Sequence, residues 1–393
     1  MSSRISRNVL LLGVVSFFAD VSGEMVYPIV PLFLTATLGA PVVAVGVIEG
    51  IAESTASILK LFSGWFSDRI GKRRPLVFGG YALAALAKFG LAAAAAWPFV
   101  LIARFVDRAG KGIRTAPRDA LIAASSDPAS HGRAFGLHRA MDTLGAIVGP
   151  LLALLLLALL GDRYRLIFLA ALVPGAIGAL LVLTVKEVAA PARVGPPPLL
   201  LSLKRYDRRF RLFLLVTFAF AIGNSSDVFL ILRARDLGLS ATAAILAYVV
   251  YNCTYAGLSL PAGIRSDRIG RRWLLGVGFI IFAVVYASFA LTDRAWTVWP
   301  LFAIYGAYIA LTDGVGKAYV SDLVPDEQRA TALGLYNALT GVAVLFASVL
   351  GGVLWDVVGP SATFAFGAGT ALLALALLVM TVNDERARVA RTG

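Results

Sequence analysis

Charged residues recur at helical spacing inside long apolar stretches of this sequence. There an ionised side chain costs about 2.5–3.5 kcal/mol to insert near a bilayer centre, so it defaults to function. Asp20 and Glu24 lie four residues apart, as do Glu49 and Glu53, and each pair therefore shares one helix face. Arg104, Arg108 and Lys111 form a basic stripe with Asp107 beside it, and Asn224, Asp227, Asp313 and Lys317 bring polar groups into the second half. A carboxylate opposing an arginine suits a two-state device, because protonation or a bound solute breaks the pair and shifts the balance. The competing reading is a static ion pair that ties helices together. Tyr248, Tyr251, Asn252 and Tyr255 add a polar aromatic stripe that could contact a planar or polyhydroxyl solute, although interhelical hydrogen bonding explains it more simply.

Catalytic chemistry finds little material. Two histidines, His131 and His138, and one cysteine, Cys253, exclude a cysteine-based metal cluster and leave little for a zinc site or a Ser-His-Asp arrangement. No Gly-x-x-x-x-Gly-Lys-Ser/Thr phosphate loop is present. The sequence therefore predicts no enzyme, no metal and no cofactor. Cys253 reads as a small packing residue, and His138, Arg139 and Asp142 as organisers of an inner gate.

The elements that must position these groups are membrane helices. Hydrophobic residues make up 59% of the 393-residue chain and charged residues 15%, with a mean hydropathy of +0.82. A soluble domain rarely departs so far from about half apolar and a quarter charged. The net charge of +13 does not signal nucleic acid, since the basic residues fall between apolar spans. Arg4 and Arg7 before an apolar run imitate a secretory leader, but the run continues to about Phe33 without a cleavage pattern and reads as a retained first helix.

A spanning helix needs about 20 mostly apolar residues. Such runs predict an all-α membrane protein with twelve transmembrane helices, near 9–33, 42–63, 75–96, 98–118, 134–159, 165–186, 211–232, 241–262, 273–292, 296–320, 331–354 and 359–382. The fourth and tenth are the most charged. The positive-inside rule places both termini in the cytoplasm, with the basic clusters at 69–74, 193–209 and 265–272. Pro191, Pro196, Pro197 and Pro198 interrupt helix formation in a linker. The predicted organisation is thus 1–186 as one six-helix half, 187–210 as a cytoplasmic linker, 211–382 as a second half and 383–393 as a tail. Short loops fit a bacterial inner membrane.

Two loops about half the chain apart repeat one pattern. Gly64-Trp65-Phe66-Ser67-Asp68-Arg69-Ile70-Gly71-Lys72-Arg73 answers to Gly263-Ile264-Arg265-Ser266-Asp267-Arg268-Ile269-Gly270-Arg271. The first glycine of each permits close helix approach, the second a tight turn. The aspartate can accept hydrogen bonds at a neighbouring helix N-terminus, and the basic residues meet anionic headgroups. Such a repeat marks a duplicated membrane protein with two pseudo-symmetric halves.

At Gly64, Asp68, Arg69, Gly71, Lys72 and Arg73, and at Gly263, Asp267, Arg268, Gly270 and Arg271, the chain resembles the major facilitator superfamily over nearly its whole length. That resemblance implies secondary active transport of a small-molecule substrate by alternating access in a monomer embedded in the lipid bilayer, with the loops as conformational latches. Gly145, Gly149 and Pro150 resemble the superfamily's antiporter motif, which implies export coupled to protons. Helices 1, 4, 7 and 10 of the superfamily line the central cavity, which implies convergence there of Asp20, Glu24, Arg104, Asp107, Arg108, Asn224, Asp227, Asp313 and Lys317, with Asp20 or Glu24 as proton carrier. Glu49, Glu53, Lys60 and Lys88 then lie on more peripheral helices and read as static pairs. Proton-coupled import of an organic anion, motivated by the Arg104–Lys111 stripe, stays open beside export, and a non-transporting sensor is the remote third reading.

Overall fold

In the computed structural model of the chain, residues 6–126, 131–188, 203, 206–325 and 328–392 are described. The linker prolines, Arg193, Lys204, Arg205 and the side chain of Asp68 lie outside the described residues, as do the side chains of the predicted tail.

All regular structure among the described residues is helical. In chain order it comprises α1 (Arg7–Val26), α2 (Val42–Ile70), α3 (Arg74–Ala93), α4 (Trp97–Ala124), α5 (His131–Leu160), α6 (Tyr164–Val182), α7 (Arg208–Ala221), α8 (Val228–Asp236), α9 (Ala241–Ile269), α10 (Arg271–Leu291), α11 (Val298–Asp322), α12 (Arg329–Val357) and α13 (Pro360–Thr392). Among the described residues, ten segments are long and apolar enough to cross a membrane.

Two predicted spans fall outside that set, for different reasons. The fourth is one continuous 28-residue helix, α4, long enough to cross at 1.5 Å per residue but dense in charge. The seventh, expected as a single helix over 211–232, is broken into α7 and α8 by non-helical backbone at Gly223–Asp227. Non-helical backbone among apolar spans needs local partners for its polar groups. The amide of Gly223 reaches the Phe220 carbonyl at 3.1 Å, that of Asn224 the Ala221 carbonyl at 3.2 Å, and that of Ser226 the Ser348 hydroxyl at 3.1 Å. The first span also departs from a plain helix: after Val26 it passes through a turn at Pro28 into the short helix Val30–Leu32 and π-helical Phe33–Thr37.

The chain forms two compact units. The first holds Met1–Pro41, Ile51–Pro198 and Ser240–Val249, and the second Val42–Gly50, Leu199–Leu239 and Val250–Gly393. Each therefore differs from a simple cut at the linker by one short segment of α2 or α9.

In the first unit α1 packs against α5 and α6, and α3 against α4 and α6. Its apolar core gathers Val9, Leu12, Val15, Val77, Tyr81, Leu121, Ile122 and Val182. The second unit has an aromatic core instead, in which Phe220, Phe282, Tyr286, Tyr305 and Tyr308 meet in stacked, tilted and edge-on pairs at centroid distances of 3.9–6.3 Å. Leu86, Leu159 and Leu180 are at least 60% exposed, a surface that lipid rather than water must solvate. Cys253 is also exposed, so it is not the packing residue expected.

The repeated loops behave as read at their second glycine and not throughout at their first. Gly71 ends α2 with φ +68° and Gly270 precedes α10 with φ +95°, a region that side chains rarely enter. Gly64 brings α2 against α4, where an added Cβ would stand 3.3 Å from that of Ala116. Gly263 has nothing within 4 Å, so close approach does not explain it. Among the described residues a carboxylate that caps α3 is Glu187: it accepts from the backbone amides of Arg73 at 3.1 Å and Arg74 at 2.9 Å. Asp356 does the same for α2, accepting from the amides of Val42 and Val43. In the second loop Asp267 pairs with Arg271, which also reaches Asp322 at 3.0 Å. Arg69 stacks on Trp65, Arg73 donates to the Ala120 carbonyl, and Lys72 and Arg268 are exposed.

Candidate functional site

A polar cavity opens within the first unit between α1, α3 and α4, with Gly175 of α6 beside it. Its internal volume is about 30 Å³. Three acidic side chains line it, Asp20, Glu24 and Asp107, and five basic ones, Lys88, Arg104, Arg108, Lys111 and Arg114.

Helical spacing supplies most of this wall. On α4 the basic positions 104, 108, 111 and 114 advance by four, three and three, so they keep to one face. Glycines allow that charged helix to seat among its neighbours. A Cβ on Gly110 would come within 3.0 Å of the Ala84 amide of α3, and one on Gly112 would stand 2.7 Å from the Leu59 Cβ of α2. On α1, Asp20 and Glu24 are held in place from behind by α5. A Cβ on Gly145 would stand 2.9 Å from that of Asp20, and a Cβ on Gly149 2.8 Å from that of Glu24. The antiporter-like glycines thus seat directly on the two carboxylate positions. Ser22, between them, donates to the Ala171 carbonyl of α6 at 2.7 Å.

Ion pairing is extensive and mostly between helices. Lys88 of α3 donates to Asp107 at 2.5 Å, and Arg104 reaches the other oxygen of that carboxylate at 3.3 Å. All three are buried, with Arg104 1% exposed and Lys88 3%. Arg108 pairs with Glu53 of α2 at 2.9 Å. The guanidinium groups of Arg104 and Arg108 each lie 5.8 Å from the Tyr27 ring, and Tyr27 packs on Tyr248 of α9, which belongs to the same unit. The Tyr248 hydroxyl donates to Glu24 at 2.9 Å. Arg114 lies over the Tyr81 ring at 4.2 Å.

The remaining expected site residues lie in the second unit and form smaller sets. Asp227, at the break between α7 and α8, accepts from Tyr305 at 2.7 Å and Tyr251 at 3.0 Å. Asn224 donates to the Tyr308 hydroxyl at 3.2 Å. Asp313 pairs with Lys317 at 2.5 Å and accepts from Tyr255 at 3.2 Å. The α9 stripe therefore spends three tyrosine hydroxyls on three carboxylates of other helices, the simpler of its two readings, and Asn252 is buried beside them. His138 meets Asp142 at 3.5 Å near the start of α5.

Lys88 and Glu53, expected on the periphery, instead belong to the cavity cluster through Asp107 and Arg108. Arg114 and Tyr81 were not singled out as site residues. For Arg114 the signal was present, since it continues the α4 stripe by one further three-residue step. A lone lysine in an apolar helix carries no comparable mark of the face it takes.

Comparison with known proteins gives this geometry its family. A model of the Major Facilitator Superfamily matches residues 12–232 and again 212–392. The chain is 38% identical over 387 residues to an MFS-type transporter of Methanocaldococcus jannaschii, covering 95% of each sequence. It is 27% identical to sugar efflux transporter A of Dickeya chrysanthemi, covering 88% of each. Among solved structures, a mutant of the nucleoside transporter NupG superposes with a TM-score of 0.81 at 14% identity, covering 95% of this chain and 99% of that one. The chain belongs to the Major Facilitator Superfamily and is an integral membrane transporter of that family.

Proposed function

We propose that this protein is a proton-coupled secondary active transporter that moves a small molecule by alternating access around the cavity of its first unit. The observation that carries the reading is the placement of Asp20 and Glu24. Two carboxylates on one face of α1 line a cavity whose other walls carry five basic side chains and Asp107, so gain or loss of a proton there changes the charge that a solute meets. Export in exchange for protons is supported by the seating of Gly145 and Gly149 against those same two positions and by the relative named a sugar efflux transporter. Import together with protons is favoured by a different observation, the excess of basic over acidic side chains in the lining. In both readings the termini and the repeated loops face the cytoplasm, and the monomer is the working unit.

The test uses everted membrane vesicles acidified by respiration, in which internal pH is followed while candidate solutes are added. Solute-evoked proton release in wild type, absent in the Asp20→Asn, Glu24→Gln double variant at equal insertion, is the expected result for export. Full gradient-driven transport by that double variant would overturn the role of the pair.

A further inference from the structure

Given a transport role for this cavity, as proposed above, we infer that the transported molecule carries a carboxylate or phosphate group and that Arg114, stacked on Tyr81, is its anchoring residue. Four facts converge on Arg114. Its side chain is 6% exposed and lines the cavity. Its Nε and Nη1 atoms have no hydrogen-bond partner among the described residues, so two buried guanidinium donors are unused. Its guanidinium lies 4.2 Å from the Tyr81 ring, which fixes its plane without consuming a donor. Its backbone is locked as well, because a Cβ on Gly80 would stand 2.6 Å from the Arg114 Cβ and 3.0 Å from its amide nitrogen.

The neighbouring cations differ from it. Lys88 and Arg104 pair with Asp107, and Arg108 pairs with Glu53 through one terminal guanidinium nitrogen. Buried guanidinium donors cost free energy unless they are met, and the planar guanidinium holds Nε–H and Nη1–H in fixed directions on different edges, where anionic oxygens can answer each with a charge-assisted hydrogen bond. Lys111, one helical turn away on the same wall, adds a positive point charge without such geometry. A neutral sugar or an organic cation would leave those donors unanswered. The lining therefore selects for negative charge, and the anion is the same whether it travels inward or outward.

The experiment titrates the purified full-length protein, in phospholipid-free detergent, with succinate and with inorganic phosphate by calorimetry. Sorbitol and tetramethylammonium serve as neutral and cationic comparisons. Saturable binding of one of the two anions is expected, with no binding of the comparisons. Affinity should weaken about tenfold or more in Arg114→Gln and less in Arg114→Lys. Should Arg114→Gln not fold, Lys111→Gln must show weaker anion binding in its place. Failure of both anions to bind, or unchanged binding in the variants that fold, would overturn the assignment. Phosphatidylglycerol is then added to the detergent, and its displacement of either anion would assign the cavity to a lipid headgroup and overturn a solute site. Proteoliposomes separate this inference from the transport reading. Proton flux evoked by sorbitol and lost in the Asp20→Asn, Glu24→Gln variant would overturn the anion and leave transport standing. Anion binding without any proton flux would do the reverse.

Discussion

A methyl group on Gly149 would stand 2.8 Å from the Cβ of Glu24 and equally close to the Val21 carbonyl oxygen. The two helices therefore meet backbone to backbone at a carboxylate that lines the cavity. Gly149→Ala must push α1 away or twist it, at a cost of about 1–3 kcal/mol for an overpacked contact. Transport by Gly149→Ala, and by Gly145→Ala for the same reason, is expected to fall about tenfold or more, because α1 carries both proposed proton sites. Gly136→Ala, with nothing within 4 Å, should transport like wild type. Rates in proteoliposomes at matched protein content check this, and equal rates for all three would show that the contact is slack.

Asp107 holds two cations in a buried setting. Asp107→Asn keeps the shape but removes the charge of the carboxylate that Lys88 and Arg104 share. Breaking a buried pair by removing one partner costs about 3–5 kcal/mol. A marked drop in melting temperature in detergent is expected, larger than that of Asp107→Asn combined with Lys88→Met. If the double variant is no more stable than the single one, the pair is not the dominant interaction at this point.

The repeated loops make opposite predictions for their two glycines in the second half. Gly270 has φ +95°, so Gly270→Ala forces a strained backbone at a cost of about 1–2 kcal/mol. Gly263→Ala adds a methyl group where nothing lies within 4 Å, and its helix propensity should leave stability unchanged or slightly raised. Thermal unfolding of the two variants side by side checks the order.

Anion affinity should depend on pH with a definite sign. Protonating Asp20 or Glu24 removes a negative charge from a cavity that also holds Lys88, Arg104, Arg108, Lys111 and Arg114, opposed by Asp107 with Glu53 on Arg108. The remaining field grows more positive, so succinate or phosphate, compared at one ligand charge state, should bind more tightly as pH falls. The Asp20→Asn, Glu24→Gln variant should bind at all pH values as wild type does at low pH. Linkage makes this reciprocal, since an anion that binds tighter to the protonated form raises proton uptake by the same factor. Tightening at low pH therefore assigns movement of anion and proton together, and weakening assigns exchange.

Periodicity and charge carried much of this architecture, and their failures have physical causes. Asp20, Glu24, Arg104, Asp107 and Arg108 do line one cavity, because four- and three-residue steps on two helices suffice to define faces. The break at Gly223–Asp227 escaped a hydropathy reading, since Asn224, Ser225 and Ser226 are too few to interrupt an apolar average. The capping of α3 by Glu187 and of α2 by Asp356 joins residues more than a hundred positions apart, which no local pattern encodes. Which neighbour Lys88 would meet was equally hidden, because a single charge in a helix fixes its angle only once the packing partners are known.

One pair of bonds in the repeated loops sets the mechanics of each unit. Arg74 donates to the Leu183 carbonyl at the end of α6, and Arg272 to the Leu378 carbonyl of α13, each at 2.5 Å. A comparable anchor thus occurs in both halves, although Arg272 aligns with Arg73 and not with Arg74, across sequence separations of 109 and 106 residues. It staples a loop at the second helix of each unit to the last helix of that unit. Tilting one drags the other, so each loop and its terminal helix travel as a single lever arm rather than as a tether and a bystander.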